Sequence, residues 1–243
     1  MVAENFPIAA TAPTLRTAEG MVPVRQKGEA RDGGNRAGLL VQLRFRTGLC
    51  SEEYVKQKAW LSASLERCPL HPEGGCGFAR HTPYARVEPP GALIARWYCP
   101  AGQTTFSLLP DCLASRLSST LAEVEQVAAK VESSDEAVEA IAAKLRPDIG
   151  QQGAVRWVRR RMMAAAVALL AAKGLRPELL AGARPTIESF RAALGVEHVL
   201  PALRELVDSQ LPALPAPVGF RPREHPDESG VRRRQQGTGA DPP

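Results

Sequence analysis

The stretch from Cys68 to Pro110 constrains this chain more than any other. It opens with C-P-L-H-P-E-G-G-C-G-F, runs through a short segment punctuated by proline and glycine, and closes with R-W-Y-C-P-A-G-Q-T-T-F-S-L-L-P. Cysteine-bearing knuckles flanking two strands are the elements of a zinc ribbon, in which tight turns aim thiolates inward and a hairpin holds the knuckles together. A closed structural zinc site takes four ligands. Cys68, His71, Cys76 and Cys99 supply four, with two residues between Cys68 and His71 as a knuckle requires, and His81 stands in reserve. The expected cofactor is one zinc ion. The competing reading is a set of ordinary thiols and an exposed histidine in a loop-rich segment without metal.

The run R-W-Y-C-P-A-G-Q-T-T-F-S-L-L-P-D-C-L, preceded by C-P-L-H-P-E-G-G-C-G-F-A-R-H, resembles an uncharacterised bacterial family of zinc-ribbon proteins found in or beside insertion sequences. In that family the ribbon precedes a helical, helix-turn-helix-like part. The resemblance covers roughly residues 45–180. Its second knuckle follows the cysteine with a histidine four residues later, where this chain has Gln103, a poor zinc ligand. Either His71 takes the vacant role or this copy has lost the metal. The resemblance implies a DNA-transaction context with a transposase-type partner, and no established activity.

Composition sets the outer bounds. The 243 residues carry 31 Lys and Arg against 26 Asp and Glu, a mild excess of +5 whose placement matters more than its size. Aromatic residues make up only 5%, while alanine and leucine abound, which favours helices over a large sheet. Five cysteines, an odd number with no secretory n-region ahead of them, point to a reducing cytoplasm. The longest apolar run, Met162 to Ala172, falls short of the roughly 20 residues of a membrane span.

In chain order, residues 1–38 mix Ala, Pro, Thr, Gly and charge without period and are expected to be disordered. Alternation over 39–45 predicts a half-buried strand, and Ser51 with Glu52 and Glu53 predicts a helix reaching Arg67. Residues 84–87 and 92–98 read as strands around E-P-P-G. Arg80, Arg86 and Arg96 on or near that hairpin either meet phosphate or keep an exposed face soluble. Beyond Pro110 the pattern turns helical. Asp111 caps a short helix through Leu117, Thr120 and Glu123 form a capping box, Ser134 caps the next helix, and Thr186 another. The stripe Val199, Leu203, Leu206 and Val207 packs or dimerises, and P-A-L-P-A-P leads into a basic tail.

The helix expected over 153–173 is the second informative element. Its apolar stripe is Val155, Val158, Met162, Ala165, Ala166 and Leu169, while Arg156, Arg159, Arg160 and Arg161 take much of its remaining N-terminal circumference. The preceding helices hold six acids, Glu123, Glu125, Glu132, Asp135, Glu136 and Glu139, in the pattern of solvated faces. With the helix before it, this element forms a helix-turn-helix candidate that is basic where a recognition helix meets DNA. A bundle in which the arginines neutralise the acidic helices accounts for the same pattern.

No phosphate-binding glycine loop or nucleophile elbow is present, and the acids are not clustered as two-metal catalysis requires. The reading is therefore of a chain that binds and does not catalyse. The expected fold is mainly α: a small β zinc-ribbon-like module with one helix over 39–110, a helix-turn-helix-like helical domain over 111–211, and disordered ends at 1–38 and 212–243. The expected function is a DNA-binding accessory or regulatory protein of mobile elements. The alternative is a protein-interaction adaptor with a metal-stabilised docking module, in which the helical part forms a homodimer.

Overall fold

A computed structural model describes residues 39–221. Four strands, β1 (Leu39–Phe45), β2 (Ala79–Ala85), β3 (Leu93–Cys99) and β4 (Thr104–Pro110), form one mixed sheet in the order β1-β4-β3-β2. β1 runs parallel to β4, with Leu39 opposite Thr104 and Phe45 opposite Pro110, and the other neighbours are antiparallel. The described residues also contain seven helices: α1 (Ser51–Lys56), α2 (Leu121–Glu132), α3 (Val138–Leu145), α4 (Gln151–Leu175), α5 (Pro177–Leu180), α6 (Ile187–Leu194) and α7 (Val199–Leu206). This is an α/β fold, and the expectation of a mainly α chain with a minor β module is corrected. The sheet is integral because β4 lies between β1 and β3 and is buried along nearly its whole length. A strand buried on both faces shows no polar alternation, so T-T-F-S-L-L-P gives periodicity nothing to detect.

Period-two geometry sends alternate residues of β3 and β4 to opposite faces. Ala95, Trp97, Cys99, Phe106 and Leu108 join Tyr54 and Trp60 in one cluster. Ile94 and Leu109 join the larger cluster built by α2, α4, α5, α6 and α7. A third cluster, Val127, Ala142, Ala154, Val155 and Val158, ties α3 to α2 and α4.

Local signals account for most boundaries. At the start of α2, Thr120 Oγ1 accepts from the Glu123 N–H at 3.0 Å and the Glu123 carboxylate accepts from the Thr120 N–H at 2.7 Å, completing the expected box. Thr186 likewise caps α6. α1 stops well before Arg67 because Lys58 adopts a left-handed conformation, with φ of 49°. No helix follows Asp111, whose carboxylate is taken by the Arg44 guanidinium at 2.6 Å and the Thr47 N–H at 3.2 Å. Ala137, and not Ser134, precedes α3.

Two α2 acids do work that a solvated face would not. Glu125 is buried, accepting from Arg191 at 3.2 Å and from the Leu200 N–H at 3.0 Å, so it serves the unpaired start of α7. Glu132 accepts from the Ile187 N–H at 2.8 Å and serves α6 in the same way. The stripe of α7 is buried within the chain at Val199, Leu203 and Val207.

Residues 212–221, read as the start of a disordered tail, pack into the larger cluster through Leu214, Val218 and Phe220. The clasp is Arg204, 1% exposed, which donates to the carbonyls of Asp111, Leu113, Pro217 and Val218 at 2.7–3.0 Å. Burial pushes its guanidinium down to about 10. The expectations for residues 1–38 and 222–243 lie outside the described residues.

Candidate metal centre

Cys68 and His71 sit in one tight turn, where the His71 N–H donates to the Cys68 carbonyl at 3.2 Å. Cys76 follows Gly74 and Gly75, whose φ values of 88° and 77° are open to glycine and strained for other residues. Cys99 closes β3 on the face of Ala95 and Trp97, so strand alternation alone aims its thiol at the first knuckle. One donor atom from each of Cys68, His71, Cys76 and Cys99 lies within 4.8 Å of every other. His71 Nδ1 is 3.6 Å from the Cys68 sulfur and 3.3 Å from that of Cys99. All three cysteines are buried and His71 is half-buried.

These separations fit a bound cation. Metal–sulfur and metal–nitrogen bonds of about 2.3 and 2.0 Å in a tetrahedron put donor atoms about 3.5–3.8 Å apart. The glycine of the second knuckle helps make the space: a Cβ at Gly102 would stand 2.6 Å from Leu70 Cδ1, 3.4 Å from the Cys99 sulfur and 3.6 Å from His71 Cε1. Its N–H donates to the Cys99 sulfur at 3.2 Å, as thiolate ligands commonly require. Burial pushes the Cys68 thiol up to about 11. At Cys76 burial acts the same way, but the Phe78 N–H and the Cys68 and Cys99 thiols outweigh it, and its pKa is lowered.

The four ligands read from the sequence are thus the four that converge. Gln103 is exposed, with φ of 46°, and takes no part. His81 stands on β2 opposite Arg96 with its ring 6.2 Å from that of Tyr98, outside the cluster. Cys112 lies apart, its thiol pushed up to about 12 by burial.

The four arginines of α4 do not share one environment. Arg156 and Arg160 are exposed. Arg159 is exposed but pairs with Glu139 at 3.0 Å. Arg161 is 3% exposed: it donates to Ser119 Oγ at 3.1 Å and to the Trp157 carbonyl at 3.3 Å, and its guanidinium lies 3.7 Å from the Trp157 ring centroid. Burial lowers its pKa to about 10. It holds α4 to the Ser119 loop and is withdrawn from any surface contact. On the hairpin, Arg80 donates to the Trp60 carbonyl at 2.7 Å, Arg86 to that of Ala114 at 3.1 Å, and Arg96 to that of Thr82 at 2.8 Å. Each has a structural partner.

Among the described residues, no helix is long and apolar enough to cross a membrane. No family model matches this chain, and neither a curated protein nor a solved structure matches it.

Proposed function

We propose that this chain is a zinc-stabilised binding protein in which Cys68, His71, Cys76 and Cys99 hold one ion that braces a docking module, the protein working by presenting surfaces to a macromolecular partner. The observation that carries the reading is the convergence of four donor atoms within 4.8 Å from two knuckles distant in sequence. Zinc suits three sulfurs and one imidazole nitrogen, since soft thiolates in tetrahedral array select it over the hard cations. Four protein ligands fill its coordination and leave no open position for water or substrate, the arrangement of structural and not catalytic zinc. Elemental analysis of purified protein should give one zinc per chain, with a chelator lowering the melting temperature. Metal-free protein that melts identically with and without chelator would sink the reading.

DNA contact is a second reading, favoured by one arrangement. Gln152, Arg156, Arg159 and Arg160 share the exposed side of the N-terminal half of α4, which follows α3 after five residues, 146–150. A recognition helix presents such a face. Its insertion-sequence context rests on the resemblance at the cysteine knuckles. Binding to random duplex should then fall steeply with salt and weaken in Arg156→Ala and Arg160→Ala. Absence of binding at low salt removes this reading and leaves the zinc centre untouched.

A further inference from the structure

The exposed side of α4 changes character along its length. Its N-terminal half carries Gln152, Arg156, Arg159 and Arg160, and its C-terminal half carries Met163, Val167, Leu170 and Gly174. Met163, Val167 and Leu170 are 66, 40 and 55% exposed. Their i, i+4, i+7 spacing sets them in one stripe along the helix, the spacing of a coiled-coil seam. No charge interrupts it, because Lys173 turns aside to donate to the Ala183 carbonyl at 2.7 Å. Ala166 and Ala171 form low shoulders on which a second helix can approach closely. The opposite side of α4 already fills the core with Val158, Ala165, Ala168, Leu169 and Ala172. The stripe is therefore surplus to the fold, and a contiguous apolar surface rimmed by charge is a contact surface.

We propose that this stripe pairs two copies of the chain, α4 against α4 in antiparallel array about a two-fold axis near Val167. A two-fold axis makes the patch its own complement: Met163 of each copy meets the partner's Leu170, and Val167 lies near the axis. Charge fixes the direction. Parallel helices would set the arginines of one copy beside those of the other, which repel. Antiparallel helices separate the two arginine clusters and carry Arg156 to the far end of the other α4, where the helix dipole is negative and the partner's Glu178 is a mostly exposed carboxylate, held by its own Arg176 only at 3.9 Å while that arginine donates to the Leu206 carbonyl. The patch thus specifies in its own chemistry what covers it. Because Arg156 would then face protein, pairing competes with DNA contact at that residue. The inference is independent of the zinc reading.

Sedimentation equilibrium of the full chain tests it. The expected result is a reversible monomer–dimer equilibrium. Leu170→Glu should weaken it by tenfold or more with the helical circular dichroism unchanged, since the replaced side chain is mostly exposed. Glu178→Arg should weaken it less, and Arg156→Glu combined with Glu178→Arg should restore it. A chain that stays monomeric at all concentrations overturns the proposal, including one that binds lipid vesicles through the stripe. So does a dimer indifferent to Leu170→Glu. A dimer lost in Leu170→Glu but indifferent to Glu178→Arg overturns the antiparallel arrangement.

Discussion

One face of the sheet rests against five helices and a buried cluster of 24 residues, while the other is covered by α1, a single 3-10 turn and the cysteine knuckles over a cluster of 12. Three of those 12 are Cys68, Cys76 and Cys99. Hydrophobic burial grows with the number of apolar side chains brought together, and a small cluster under loops yields little once chain entropy is set against it. The larger face gains its stability from packing and can enlist buried polar groups as clasps. The smaller face has a quarter of its buried cluster in potential metal ligands. Under the zinc reading the two faces of one sheet are stabilised by different chemistry, and each face should fail in its own way.

The largest effect expected is at the smaller face. Under the zinc reading, Cys99→Ser removes a ligand and should abolish stoichiometric metal. The Trp60 and Trp97 fluorescence should move toward that of exposed indole while the far-UV helical signal largely persists. Simultaneous loss of both signals would mean that the two faces are not separable. Next is Arg204→Met on the larger face, which leaves four buried carbonyls without their donor. It should cost about 3–5 kcal/mol in denaturant unfolding without changing zinc content. A cost below about 1 kcal/mol would show that the Arg204 clasp is dispensable. Thr120→Ala, which removes the cap of α2, should cost about 1 kcal/mol and spare the metal.

The smallest effect concerns pH. Glu132 has its pKa raised, chiefly by burial and against the Ile187 and Glu188 N–H groups. A carboxyl whose folded pKa lies above its unfolded one holds its proton longer in the native state. Its contribution is therefore complete below the ordinary glutamate range and declines as pH rises through the folded value. Glu132→Gln, which keeps an acceptor for Ile187, should flatten that decline by a few tenths of a kcal/mol at most. An unchanged pH profile between pH 4 and 7 would assign the decline to other groups.

Much of the site could be read from the residues, and less of the fold. The four converging donors are legible because metal chemistry restricts residue type and spacing, and because alternation along β3 places Cys99 on a definite face. The capping box of α2 and the Thr186 cap of α6 are legible because their partners lie three residues apart. β4 escapes a pattern reading for the opposite reason: both its faces are buried, and although β3 precedes it by a short turn, its other neighbour, β1, is distant in sequence. Glu125 and Arg161 read as surface charge from the sequence, since a charged residue on a helix is usually solvated and only the tertiary fold brings Leu200 and Ser119 to them. Residues 212–221 carry no period at all. Their order comes from Arg204, which no local pattern links to Pro217 and Val218.

The parallel pairing of β1 with β4 has a consequence for how the protein is made. β1 is the first described element to leave the ribosome, yet its partner begins at Thr104, 65 residues after Leu39. Arg44, near its end, waits longer still for Asp208 at 2.6 Å. Closure over such separations raises contact order and slows folding. During translation β1 therefore stays without its sheet partner until β4 emerges, and Arg44 without its Asp208 carboxylate until nearly the whole described chain is made.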